Sequence, residues 1–80
     1  MVKCEQYLAA ARNNPRGLSF AQLCTLAECY GFEYSRTKGS HQIFKRPGFM
    51  RIMNFQDVGG RAKAYQVKQL LSAIDELGDW

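Results

Sequence analysis

Residues 31 to 48, Gly31-Phe32-Glu33-Tyr34-Ser35-Arg36-Thr37-Lys38-Gly39-Ser40-His41-Gln42-Ile43-Phe44-Lys45-Arg46-Pro47-Gly48, mark the point where the hydrophobic period of the chain changes from 3.6 to 2. Phe32, Tyr34 and Arg36 alternate with Glu33, Ser35 and Thr37, which predicts a strand. Lys38-Gly39 then reads as a tight turn into a second strand from Ser40 to Arg46. Pro47-Gly48 supplies the next turn, and Met50 to Phe55, with β-favouring Ile52 and Phe55, predicts a third strand. Three short strands joined by tight turns form an antiparallel meander.

On either side the period is helical. Cys4, Tyr7, Leu8 and Ala11 recur at helical spacing until Asn13-Asn14-Pro15-Arg16-Gly17 ends the pattern, so a first short helix is expected over about 4–13. Ser19 is a good N-cap for a second helix, lined by Phe20, Leu23, Cys24, Ala27 and Tyr30, with Gly31 as its left-handed stop. After Gln56-Asp57-Val58-Gly59-Gly60-Arg61, which has turn composition, Val67, Leu70, Leu71, Ile74 and Leu77 mark one face of a last helix before Gly78. The expected fold class is therefore α+β, one domain over 1–80 in the order α-α-β-β-β-α, with helices covering one face of a three-stranded antiparallel sheet.

Which face the helices cover is left open by alternation alone, because Ile43 and Phe44 are adjacent and both large. With His41 outward, Ile43 and Lys45 follow it while Gln42, Phe44 and Arg46 point to the helices. On the third strand, Arg51 outward takes Met53 and Phe55 with it. That arrangement leaves Ile43, Met53 and Phe55 as an exposed apolar patch beside cations, the kind of surface partners use.

Eighty residues bury roughly 60% of their unfolded surface, which favours a shallow groove over a deep cavity. Eleven Lys and Arg against seven Asp and Glu give a formal charge of +4. The asymmetry is local: Arg36, Lys38, Lys45, Arg46, Arg51, Arg61 and Lys63 face a single carboxylate, Asp57, between Arg36 and Lys63. A polyanionic partner fits this segment, and a plain solvated basic face is the simpler alternative. Cys4, Cys24 and Cys29 form no Cys-x-x-Cys pair, and two of them lie on different faces of one helix. They read as reduced, partly buried thiols of a cytosolic protein, with neither a disulfide framework nor a zinc site indicated. Met1-Val2-Lys3-Cys4-Glu5-Gln6 leads into no apolar stretch of signal-peptide length, and no segment approaches the roughly 20 apolar residues of a membrane helix. The expected location is the cytoplasm, with no membrane partner.

His41 is the sole histidine, and an imidazole gives and takes protons near neutral pH. Gly39-Ser40-His41, the short aromatic-containing strand, Arg46-Pro47-Gly48, the further strand and the terminal helix together resemble the HicA-type mRNA interferase toxins of bacterial and archaeal toxin–antitoxin systems, which have a double-stranded-RNA-binding-domain-like fold. The likeness runs from about Ser19 to Leu77 and leaves the first helix outside it. Family members often carry further histidines where Gln42 and Arg46 stand here, so His41 alone carries over as the catalytic residue. The resemblance implies an mRNA endoribonuclease without cofactor or metal, and a HicB-type antitoxin encoded beside it that covers the active face.

Cutting RNA without a metal requires removal of the 2′-OH proton, charge stabilisation at phosphorus and a proton for the leaving 5′-oxygen. On this reading His41 is the general acid or base. Lys38 and either Arg36 or Lys45 clamp phosphate, Ser40 donates to it, Gly39 permits close approach, and these cations with Arg46 and Arg51 make up the RNA-binding surface. With no second strong proton donor the enzyme is expected to be slow. Two other classes compete: a non-catalytic module whose cations read A-form shape, and a protein-interaction domain using Ile43, Met53 and Phe55. Gly59-Gly60-Arg61 reads as a flexible loop more readily than as an anion-holding turn.

Overall fold

A computed structural model describes residues 4–78; residues 1–3, the first half of the N-terminal segment read above as no signal peptide, and 79–80 lie outside the described residues. The fold is α+β: helix α1 (Cys4–Asn13), a 3-10 turn at Pro15–Gly17, helix α2 (Phe20–Cys29), strands β1 (Glu33–Lys38), β2 (His41–Lys45) and β3 (Met53–Gln56), and helix α3 (Ala64–Leu77). The strands form one open antiparallel sheet in the order β1-β2-β3.

Local chemistry sets the boundaries of α2. The Ser19 hydroxyl accepts from the Gln22 amide while the Gln22 side chain accepts from the Ser19 amide, a complete capping box. At the other end Gly31 takes φ +89°, and the Gly31 and Phe32 amides donate to the Glu28 and Ala27 carbonyls. This reversal satisfies the last turn and drops Phe32 into the core.

The core lies between the helices and one face of the sheet. Leu23 and Leu26 of α2, Val67, Leu70 and Ile74 of α3, and Phe44, Met53 and Phe55 of the sheet are all buried in it. Phe44 packs on Phe55 with ring centroids 5.2 Å apart and edge-on to Tyr34 at 6.0 Å. Pairing of Phe44 with Met53 and of Gln42 with Phe55 puts all four on the helix side, so His41, Ile43 and Lys45 point to the outer face.

Three expectations are corrected. The third strand begins at Met53, not Met50, because the chain between β2 and β3 is held elsewhere. Arg46 reaches back to the Tyr30 carbonyl, Phe49 packs edge-on to Phe32 at 5.8 Å, and Met50 is left 96% exposed. Met53 and Phe55 are core residues instead of a surface patch, and Ile43, although on the outer face, is only 6% exposed. The cysteines are not all reduced thiols: Cys4 and Cys29 form a disulfide, their Cα atoms 5.8 Å apart, because the packing of α1 on α2 brings the start of one helix to the end of the other. Cys24 remains a thiol, and burial, followed by the charges of Glu28 and Asp57, pushes its pKa up to about 11.

The first helix is therefore integral to the domain. Ala11 is buried, Tyr7 and Leu8 pack against the core, and Arg12 bonds Asp75 of α3 at 2.6 Å. Replacing Cys4 and Cys29 together with serine is expected to lower stability by about 3 kcal/mol, since a cross-link over a separation of 25 residues restricts the unfolded chain. Urea titration of the oxidised and doubly substituted proteins measures this, and equal midpoints count against it. The bond from Arg12 holds the Asp75 carboxyl below its ordinary range, so its contribution to stability is present above the unfolded carboxylate pKa and fades as pH falls through the depressed one. Asp75→Asn is expected to remove that part of the stability loss on acidification below the ordinary carboxylate pKa, read from urea midpoints against pH.

Candidate functional site

The β1–β2 connection is a two-residue loop, Gly39-Ser40, closed by pairing of Lys38 with His41. Gly39 takes φ +64°, which a residue with a Cβ adopts only under strain, although the space around it is open. The turn residue therefore acts through its backbone conformation, and it delivers His41 at the first position of β2.

A bulge at Ser35 decides what stands beside that histidine. Tyr34 pairs with Phe44, but the next pair is Arg36 with Ile43, which leaves Ser35 as the extra residue. Strict alternation would set Arg36 on the face of Tyr34, against the helices. The bulge turns Arg36 and Lys38 outward to the face of His41, and it leaves Tyr34 and Thr37 on the helix side, where their hydroxyls bond at 2.7 Å. The outer face thus carries Lys38, His41 and Gln56 in one row, then Arg36, Ile43 and Asn54, then Glu33 and Lys45. Arg36, Lys38 and Lys45 are exposed, and none makes a salt bridge with a described residue.

His41 is half-buried and anchored. Its Nε2 lies 3.2 Å from Oε1 of Gln56, and Nε2 of Gln56 donates to the Ser40 hydroxyl at 3.3 Å. The backbone amide of Gln56 donates to Oε1 of Gln66 on α3 at 2.8 Å, and Nε2 of Gln66 donates to the Tyr65 hydroxyl at 3.3 Å. Lys63 sits 5.9 Å from the Tyr65 ring centre. Gln56, Gln66 and Tyr65 escaped the sequence reading. Gln66 carried a usable signal, because it falls on the same helical stripe as Leu70, Ala73 and Leu77, a polar residue where an apolar one is expected. The role of Gln56 depends on strand register and had no local signal.

The remaining cations are assigned elsewhere. Arg46 donates through Nε to the Tyr30 carbonyl at 2.9 Å, at the C-terminal end of α2. Arg51 forms a salt bridge with Glu76 and bonds Ser72 on α3, so it lies on the helix side with Met53 and Phe55. In the 57–61 loop, the Gly60 amide donates to Asp57, the Gly60 carbonyl accepts from the Phe20 amide, and Arg61 donates to the Arg16 carbonyl, so the loop is braced within itself and against residues 16–20. Large apolar residues are exposed at the opposite end of the sheet, where Tyr34, Lys45, Phe49, Met50 and Ile52 line an open groove of about 440 Å³. No group of three His, Cys, Asp or Glu residues among the described residues could hold a metal ion. No helix among them is long and apolar enough to cross a membrane.

In comparisons with family models, curated proteins and solved structures, none matches this chain.

The arrangement separates cations that build the fold from cations that face solvent. Arg46→Met is expected to cost about 2 kcal/mol, the worth of a charge-assisted bond to a carbonyl, whereas Lys38→Ala should stay within about 0.5 kcal/mol of the parent protein. Thermal and urea unfolding of the two variants measure the difference, and the reverse order contradicts the assignment.

Proposed function

We propose that this protein is an mRNA endoribonuclease of the HicA toxin type, acting in the cytoplasm with His41 as its general acid and base and without a metal. The observation that carries the reading is the outer-face row of Lys38 beside His41 with Arg36 in the next pair, all reachable by a ligand laid across the sheet. A phosphodiester over this row has an imidazole at the ribose and two guanidinium or ammonium groups at the phosphate.

The chemistry follows from that placement. His41 takes the 2′-OH proton as the oxygen attacks phosphorus, and the P–O5′ bond breaks to leave a 2′,3′-cyclic phosphate and a 5′-hydroxyl. Lys38 and Arg36 stabilise the charge that builds on the nonbridging oxygens. The proton for the 5′-oxygen comes from the imidazolium or from water, and reliance on one histidine makes turnover slow. Lys45 lies four residues along β2, roughly 13 Å from His41 at about 3.3 Å per residue, within reach of a phosphate further along the strand.

A HicB-type antitoxin with an acidic face suits the same surface. Its apolar contacts would come from exposed residues such as Met50 and Ile52, since Met53 and Phe55 are core and Ile43 is buried. The outer-face cations, which form no salt bridge with a described residue, also suit the non-catalytic RNA-binding reading, which the same experiment separates. His41→Ala is expected to reduce cleavage of single-stranded RNA at least ~100-fold with RNA affinity retained, and cleavage by the parent protein should persist in a chelator. Charge reversal at Arg36 and Lys38 should weaken RNA binding. Unchanged cleavage in His41→Ala overturns the enzyme reading, and binding without any cleavage favours the module. Reduction of the Cys4–Cys29 bond, which lies in the helical layer, should lower stability and leave cleavage in place.

A further inference from the structure

Gln66 is the one buried polar side chain among the described residues, 2% exposed, and it is committed to a neighbour of the histidine. Its Oε1 accepts from a backbone N–H, which can only donate, so the orientation of this amide is fixed by chemistry. The bond pins the backbone of Gln56 at the last position of β3, directly across from His41 in the register. From there the Gln56 side chain spans the hairpin end, with Oε1 toward Nε2 of His41 and Nε2 toward the Ser40 hydroxyl. A buried amide is costly unless paired, and here both its ends are paired.

We propose that Gln56 is the positioning residue of His41: its amide oxygen holds the ring as the Nε2–H tautomer and leaves Nδ1 as the nitrogen that takes the 2′-OH proton. In a neutral imidazole one nitrogen donates and the other accepts, and the hydrogen bond made by one decides the role of the other. In the orientation in which the Ser40 hydroxyl accepts from Nε2 of Gln56, the amide oxygen facing the ring can only accept, which puts the proton of the neutral imidazole on Nε2. The Nδ1 lone pair, for which no described residue provides a partner, is directed away from Gln56. The identity of the proton it removes rests on the endoribonuclease reading; the tautomer and its dependence on Gln56 do not.

The chain has one histidine, so labelling histidine with ¹⁵N gives one pair of imidazole signals. At a pH where the ring is neutral, the parent protein should show a single tautomer, with a pyrrole-type Nε2, a pyridine-type Nδ1 and a persistent Nε2–H proton signal. Gln56→Glu keeps an acceptor at the same place and should retain this signature, whereas Gln56→Leu should lose the proton signal and mix the tautomers. In single-turnover RNA cleavage, Gln56→Leu should lower the rate about 100-fold with RNA affinity unchanged, and Gln56→Glu should restore most of it. An Nδ1–H tautomer in the parent protein overturns the proposal whether or not the leucine variant folds, and so does a folded Gln56→Leu that keeps the parent signature or cleaves RNA at the parent rate. If the signature behaves as stated but His41→Ala cleaves like the parent, the positioning stands and the endoribonuclease reading falls.

Discussion

The burial of Phe44 is the constraint on which the rest of the sheet depends. Its ring fills the space between Phe55, Tyr34 and the helices, and it is 1% exposed. A strand has two faces and a period of two, so fixing Phe44 inward fixes His41 and Lys45 outward. The pairing of Phe44 with Met53 then commits Met53 and Phe55 to the core and carries Arg51 to α3, where it meets Glu76. Slipping β2 by one residue would expose Phe44 and turn His41 and Lys45 towards the helices, which the cost of burying polar and charged side chains opposes.

One interruption of that alternation shapes the candidate site. The Ser35 bulge lets β1 keep Tyr34 against Phe44 while presenting Arg36 and Lys38 outward. Both halves of the strand are satisfied: an aromatic ring completes the edge of the core, and two cations avoid desolvation. A cation without a protein partner is poorly placed inside a domain this small and well placed on a face open to solvent. The bulge therefore serves packing and electrostatics together.

The cations divide by what surrounds them. Arg46 and Arg51 have long stems that cross apolar ground to reach a carbonyl and a carboxylate on the helices, so their charge contributes to the fold. Stability also gathers on the helical side through the Cys4–Cys29 bond and the Arg12–Asp75 pair, both of which bind α1 to its neighbours. The outer face is left with Arg36, Lys38, Lys45 and the anchored histidine. Substitutions there are expected to have little effect on folding.

The sequence by itself determined the helices, the meander and their order, because capping by Ser19, the glycine stops, the tight turns and the switch of hydrophobic period act within a few residues of one another. It also singled out His41, Arg36, Lys38 and Lys45, all of which the sheet brings to one face. Only the tertiary structure decided which neighbour of the Ile43–Phe44 pair joins the core, since both are large and apolar and the choice depends on what the helices present. The bulge, the commitment of Arg46 and Arg51 to helix ends, the Cys4–Cys29 bond and the Gln66–Gln56–His41 chain all join residues distant along the chain. Such contacts leave no periodic or local trace, because they arise from how the elements pack and not from what each element is.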